Sequence, residues 1–188
     1  MRLLVIATAA AAAVLAAPAV AAPRAATLND PKGDWPVASQ DVLSARVTSV
    51  RVAGRPALVA ALTLAAAPDA PTQYSVAVTA GCDSWLLSVR NLGTDLEDAR
   101  IEHVVCYDLA DYPTRQTEIE HATATVRGTT VEITAPYTLG LKRGTKVTSL
   151  SAGASAFFTG VYVGHDVGDQ GFVMSGDVAF GKVSYVLP

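Results

Sequence analysis

Two short stretches decide the fold: Tyr74-Ser75-Val76-Ala77-Val78-Thr79 and Trp85-Leu86-Leu87-Ser88-Val89-Arg90. In the first, Tyr74, Val76 and Val78 alternate with Ser75, Ala77 and Thr79. In the second, Trp85, Leu87 and Val89 alternate with Leu86, Ser88 and Arg90. An extended chain sends successive side chains to opposite faces, so a period of two buries one face and leaves the other near solvent. Both stretches are therefore predicted to be half-buried strands.

The rhythm continues outward on both sides. Ser44 to Val52 is a Thr/Val-rich run holding Val47, and Ala57 to Leu64 follows a turn at Gly54-Arg55-Pro56. Thr123 to Val126 and Thr130 to Thr134 flank Arg127-Gly128 and read as a tight hairpin; Val131 and Ile133 alternate there with polar residues. Lys146 to Phe158 and Phe172 to Val186 supply the last strands. No segment beyond the leader keeps a helical period. Short strands divided by turns predict an all-β fold of about eight to ten strands, an antiparallel sandwich or barrel, and the β-sandwich is the preferred reading.

The leader itself is distinctive. Arg2 precedes an uncharged apolar run from Leu3 to Ala17, Pro18 breaks it, and Ala19-Val20-Ala21 offers small residues for cleavage. This predicts a signal peptide over 1–21 and a secreted, extracytoplasmic product. The competing reading is an uncleaved anchor, since spanning needs ~20 apolar residues. The alanine-rich composition and the break at Pro18 favour cleavage. Residues 22–29 then read as a flexible tail and 30–188 as a single domain. No later segment is apolar enough to span, so no integral membrane contact is expected after cleavage.

Loss of Arg2 leaves 13 basic against 17 acidic residues, a net charge of −4. A mildly acidic chain without a basic cluster makes nucleic acid and anionic lipid poor partners. The two cysteines, Cys82 and Cys106, read as one disulfide in an exported chain. A zinc site would want further ligands. If the cysteines face each other, the hairpin is centred on Thr94, Trp85 opposes His103, and Leu87 opposes Ile101. A second hairpin rests on a repeat: Ile101-Glu102-His103 recurs as Ile119-Glu120-His121. Folding about Asp111 sets Glu102 against Glu120, which calls for a base such as Arg100 or Arg115. The competing reading is that so short a repeat arises by chance.

The strongest polar cluster is Asp30-Pro31-Lys32-Gly33-Asp34-Trp35, followed by Asp41. Carboxylates on a Gly-containing loop suit a hard cation, so Asp30, Asp34 and Asp41 are candidate Ca2+ ligands. Asp166, Asp169 and Asp177 form a second acidic group that completes the site if the two ends of the domain meet. The alternative is that Asp and Gly make turns there. Trp35 is a candidate contact residue. So is Phe158, because Phe157 and Phe158 cannot both face inward in a regular strand.

Asp30, Gly33, Asp34, Asp41 and Val42, with the strand Ala45 to Val50, resemble the D-x-x-G-D…D-(I/V) opening of small exported β-sandwich domains from high-GC bacteria. These are similar in outline to DOMON domains and family 9 carbohydrate-binding modules. The resemblance covers about a dozen residues and implies a jelly-roll-like sandwich, with calcium bracing the loops and paired tryptophans clamping a sugar. Trp35 and Trp85 are the two tryptophans here. The inward position expected for Trp85 departs from that pattern. DOMON haem ligation by Met and His would draw on Met174 with His103, His121 or His165, but no spacing pairs them.

No G-x-S-x-G elbow and no H-E-x-x-H helix is present, and His165-Asp166 adjacency does not orient an imidazole. The expected function is a secreted, non-catalytic binding domain for an extracellular glycan, carrying a weak calcium site. The alternative is a structural or protein-interaction domain of the cell envelope, and the third reading is a hydrolase. A long uncovered edge strand would favour the protein partner.

Overall fold

The computed structural model describes residues 25–92, 95–104, 118–158 and 172–188. The leader, Cys106, His165, Asp166 and Asp169 lie outside the described residues, as do the side chains of Phe158 and Met174. Eleven strands are seen: β1 (Ala25–Asn29), β2 (Val42–Val52), β3 (Arg55–Leu64), β4 (Thr72–Ala80), β5 (Asp83–Asn91), β6 (Leu96–Val104), β7 (Glu118–His121), β8 (Thr123–Arg127), β9 (Thr130–Pro136), β10 (Lys146–Phe158) and β11 (Phe172–Val186). They form two antiparallel sheets, ordered β1-β2-β3-β9-β8 and β11-β10-β4-β5-β6-β7. Among the described residues there is no helix long and apolar enough to cross a membrane.

The period-two reading sets the core. Tyr74, Val76 and Val78 of β4 and Trp85, Leu87 and Val89 of β5 are all buried, in register as Tyr74–Val89, Val76–Leu87 and Val78–Trp85. Facing them are Ala45 and Val47 of β2, Leu58, Ala60 and Leu62 of β3, and Val131, Ile133 and Ala135 of β9. The β2–β3 reversal is a two-residue turn at Ala53-Gly54, with φ of 48° and 79°. Both angles lie in the left-handed region that matches strand twist in a hairpin, and this explains the glycine. Arg55 and Pro56, expected in the turn, begin β3 instead.

The structure corrects the segment expected to be a flexible tail. Residues 25–29 are β1, paired to β2 from Ala25–Thr48 to Asn29–Ser44. Ala26 and Leu28 point into the core. A single leucine among small residues gives little local signal, and the pairing partner lies in β2. Leu28 fits because position 181 is glycine: a Cβ there would stand 2.6 Å from Leu28 Cδ1.

The β5–β6 hairpin has the register expected, with Trp85 opposite His103 and Leu87 opposite Ile101. A register shift between Ser88 and Arg90 places Asp98 at φ 52°. The second hairpin is corrected by one residue: Glu102 opposes Ile119, and Ile101 opposes Glu120. The shift separates the like charges, and Arg100 Nε meets Glu102 Oε1 at 2.6 Å on the same strand face. Glu102 and Glu120 therefore sit on opposite faces and form no carboxylate pair across a cleft. In β10 a register shift falls between Ser155 and Phe157, the irregularity that two adjacent phenylalanines imply.

Leu87 is fully buried and Phe180 is 69% exposed. Leu87→Ala should therefore cost about 2–5 kcal/mol, and Phe180→Ala no more than about 0.5 kcal/mol. Urea unfolding of both variants checks the assignment of inner and outer faces.

Candidate functional site

The first and last strands of the domain meet at one end of the sandwich. β1 is the edge of the five-stranded sheet, β11 is the edge of the six-stranded sheet, and the two pack against each other. The loop 30–41 leaves β1 at this end and returns into β2. It is held by several bonds of known geometry. Asp30 N–H donates to Leu43 O at 2.9 Å, Ala65 N–H to Asp41 O at 2.9 Å, and Ala66 N–H to Ala38 O at 3.0 Å. The buried Tyr74 hydroxyl donates to Ser39 O at 3.0 Å, and Gln40 Nε2 donates to Thr72 Oγ1 at 3.3 Å.

Within this frame one carboxylate oxygen each from Asp30, Asp34 and Asp177 lies within 4.8 Å of the others. Asp30 is half-buried, Asp34 exposed, and Asp177 buried. Asp177 Oδ2 accepts from Val42 N–H at 2.7 Å, which stitches β11 to the start of β2. Asp41 stands behind the loop and is only 2% exposed. Its Oδ2 accepts from Gly33 N–H at 2.8 Å, so its carboxylate points into the 30–34 turn. Gly33 adopts φ 84°, a conformation that L side chains rarely take.

The electrostatics of this nest are one-signed. Burial raises the Asp30 carboxyl above its ordinary value, and the charges of Asp177, Asp34 and Asp41 add to the effect. Burial likewise raises Asp177, reinforced by Asp34 and Asp41 and opposed by the Val42 N–H. Asp30 Oδ2 and Asp41 Oδ1 are buried without a hydrogen-bond partner. Among the described residues none of the four carboxylates makes an ion pair. Hard cations take such oxygens, and Ca2+ fills its six to eight positions with carboxylates, carbonyls and water. The exposed Asp34 leaves a side from which ion and water can enter.

Of the three ligands read from sequence, Asp30 and Asp34 converge and Asp41 closes the turn behind them. Asp177, 136 positions beyond Asp41, supplies the third converging oxygen. Trp35 follows Asp34 on the same loop, is half-buried, and donates from Nε1 to Gln40 Oε1 at 3.2 Å. Trp85 belongs to the core. Its Nε1 donates to Leu139 O at 2.9 Å, and its ring stacks on His103 at 4.9 Å with a 4° tilt. That face is committed, so a sugar clamp of the two tryptophans is not formed.

Elsewhere, Asp98 lies 3.0 Å from Arg100 and 3.7 Å from Arg90, which offset its charge. Beside it a shallow groove of about 470 Å³ runs between Leu96, Asp98 and Ala99 of β6 and the crossing segment 121–124. Comparison with protein-family models, curated proteins and solved structures finds no match for this chain.

In the folded protein Asp30 and Asp177 hold protons above the ordinary aspartate value of 3.8, whereas the unfolded chain releases them. Their contribution is therefore present at low pH and lost as pH rises through the raised folded values. In metal-free buffer, the urea midpoint of the wild type relative to Asp30→Asn should improve as the buffer is acidified from neutrality toward the ordinary aspartate value of 3.8. A relative midpoint that worsens on acidification contradicts the raised carboxyl.

Proposed function

We propose that this chain is an exported, non-catalytic binding domain in which Asp30, Asp34 and Asp177 hold a calcium ion that braces the loop 30–41. The observation that carries this reading is the convergence, within 4.8 Å, of three carboxylate oxygens from opposite ends of the domain. The buried, unpartnered oxygens of Asp30 and Asp41 support it, because such groups are costly unless something answers their charge. Trp35, adjacent to Asp34 and half-buried, suits a glycan contact beside the braced loop. The leader 1–21 supports export, and extracytoplasmic fluids carry calcium at the concentrations that weak sites need.

A second reading has its own observation. β11 is 15 residues long and forms a sheet edge, and its outer face carries Val178 at 67% and Phe180 at 69% exposure. A long edge strand bearing apolar side chains suits a protein partner. A Cys82–Cys106 disulfide belongs to the same proposal. Ser84 opposes Val104, and two further steps of that register would bring position 82 to position 106. The bond would close a loop of 25 residues. On the chain-entropy account this contributes roughly 3.5 kcal/mol.

Calcium at about 100 times its dissociation constant adds about 2.7 kcal/mol of stability, a rise of about 5–10 °C for a domain of this size. Thermal unfolding with calcium and then with chelator should show that rise in the wild type. The rise should disappear in Asp34→Asn and Asp177→Asn, and an unchanged melting temperature in the wild type would return these aspartates to turn-making. Intact mass after alkylation should show two reactive thiols only after reduction. Alkylation without reductant would remove the disulfide.

A further inference from the structure

The carboxylate nest joins the β1–β2 connection to β11, two parts of the chain that no hydrogen-bond ladder unites. Asp30 and Asp34 belong to the loop after β1, Asp41 to the entry of β2, and Asp177 to β11 in the other sheet. Like charges at this spacing in a half-buried setting repel. The Asp41 carboxylate is 98% buried, points into the 30–34 turn, and keeps one oxygen without a donor. Without a cation, the repulsion can be relieved at one place more cheaply than elsewhere. β11 is an edge strand paired only to β10, whereas the loop 30–41 is tied to β2, to β4 and to the segment 65–66. The Asp177–Val42 bond ties this part of β11 to the loop side of the sandwich, beside the packing of Leu28 against Gly181.

We infer that calcium at Asp30, Asp34 and Asp177 acts as a latch on β11, fastening its 177–183 stretch to the sandwich and so setting whether the Val178 and Phe180 edge is presented in strand form. This rests on the calcium reading above and adds the regulation of that site. With the ion, opposite charge replaces mutual repulsion and the edge is ordered. When the ion leaves, β11 opens locally while the core of β4 and β5 stays folded, because those strands are paired on both sides and buried through Val76, Val78, Trp85 and Leu87.

The test is hydrogen–deuterium exchange with mass-spectrometric peptide readout, on the protein as recovered from its host, in chelator and in millimolar calcium. Calcium binding is measured by calorimetry on the same sample. In chelator, amides of 177–183 should exchange at least tenfold faster than those of 74–89, and calcium should close most of that gap. Asp177→Asn removes one repelling charge yet keeps an oxygen that can accept from Val42 N–H. Its gap in chelator should be smaller than the wild-type gap, and calcium should not change it. Heat of binding with an unaltered gap overturns the latch and leaves the calcium site standing. The absence of calcium binding overturns both. A wider gap in Asp177→Asn than in wild type would assign Asp177 a purely structural role and also overturn the latch.

Discussion

One face of each sheet must be free of uncompensated polar groups over its whole area, and the central pair β4–β5 meets this condition with three alternating apolar positions on each strand. Tyr74, Val76, Val78, Trp85, Leu87 and Val89 are at most 4% exposed. Everything else is arranged around that surface. Small residues at Ala45, Ala60, Ala135, Ala152, Ala154 and Ala179 let the sheets approach where the two tyrosines, Tyr74 and Tyr185, fill the space. Tyr74 illustrates the cost of the arrangement. Burial raises its phenol above the ordinary value, and its hydroxyl is satisfied by the Ser39 carbonyl of the 30–41 loop. Core packing thus also fixes one side of the loop that carries Asp30 and Asp34.

Much of this architecture was legible in the residues. Strand bounds for β10 and β11 and the facing of Trp85 with His103 follow from alternation and from the spacing of the two cysteines. Two elements were not legible, for different physical reasons. β1 has five residues and one large apolar side chain, so its stability comes from β2 beside it and from the gap that Gly181 leaves for Leu28. Neither is a local property. The β6–β7 register was misplaced by one residue because a repeated tripeptide specifies similarity and not pairing. The observed pairing moves Glu120 away from Glu102, which relieves like-charge opposition, and leaves Glu102 to Arg100.

The candidate site shows the same division. Asp30, Gly33 and Asp34 announce a turn with carboxylates, and that much needs only local chemistry. The role of Asp41 was half visible: it falls near the group in sequence, but its carboxylate binds the Gly33 amide and shapes the turn. Asp177 enters only because the first and last strands end up as adjacent sheet edges, a consequence of a topology in which the chain crosses between sheets after β3, β7 and β9.

The location of the nest follows from the same topology. The β1 and β11 edges, each paired to one neighbour only, meet at one seam of the sandwich. Apolar packing could close that seam, and Leu28 against Gly181 does so farther along. At the loop end the chain instead places four carboxylates, two of them raised above their ordinary values. Apolar groups of similar size would hold the seam at least as well, because burying charge gives up solvation that mutual contact does not return. What apolar groups cannot do is respond to a cation. In the proposed reading, like charges gathered at this seam would couple its closure to a neutralising cation, and the strand on the far side of the seam is the one carrying the two most exposed large apolar side chains among the described residues, Val178 and Phe180.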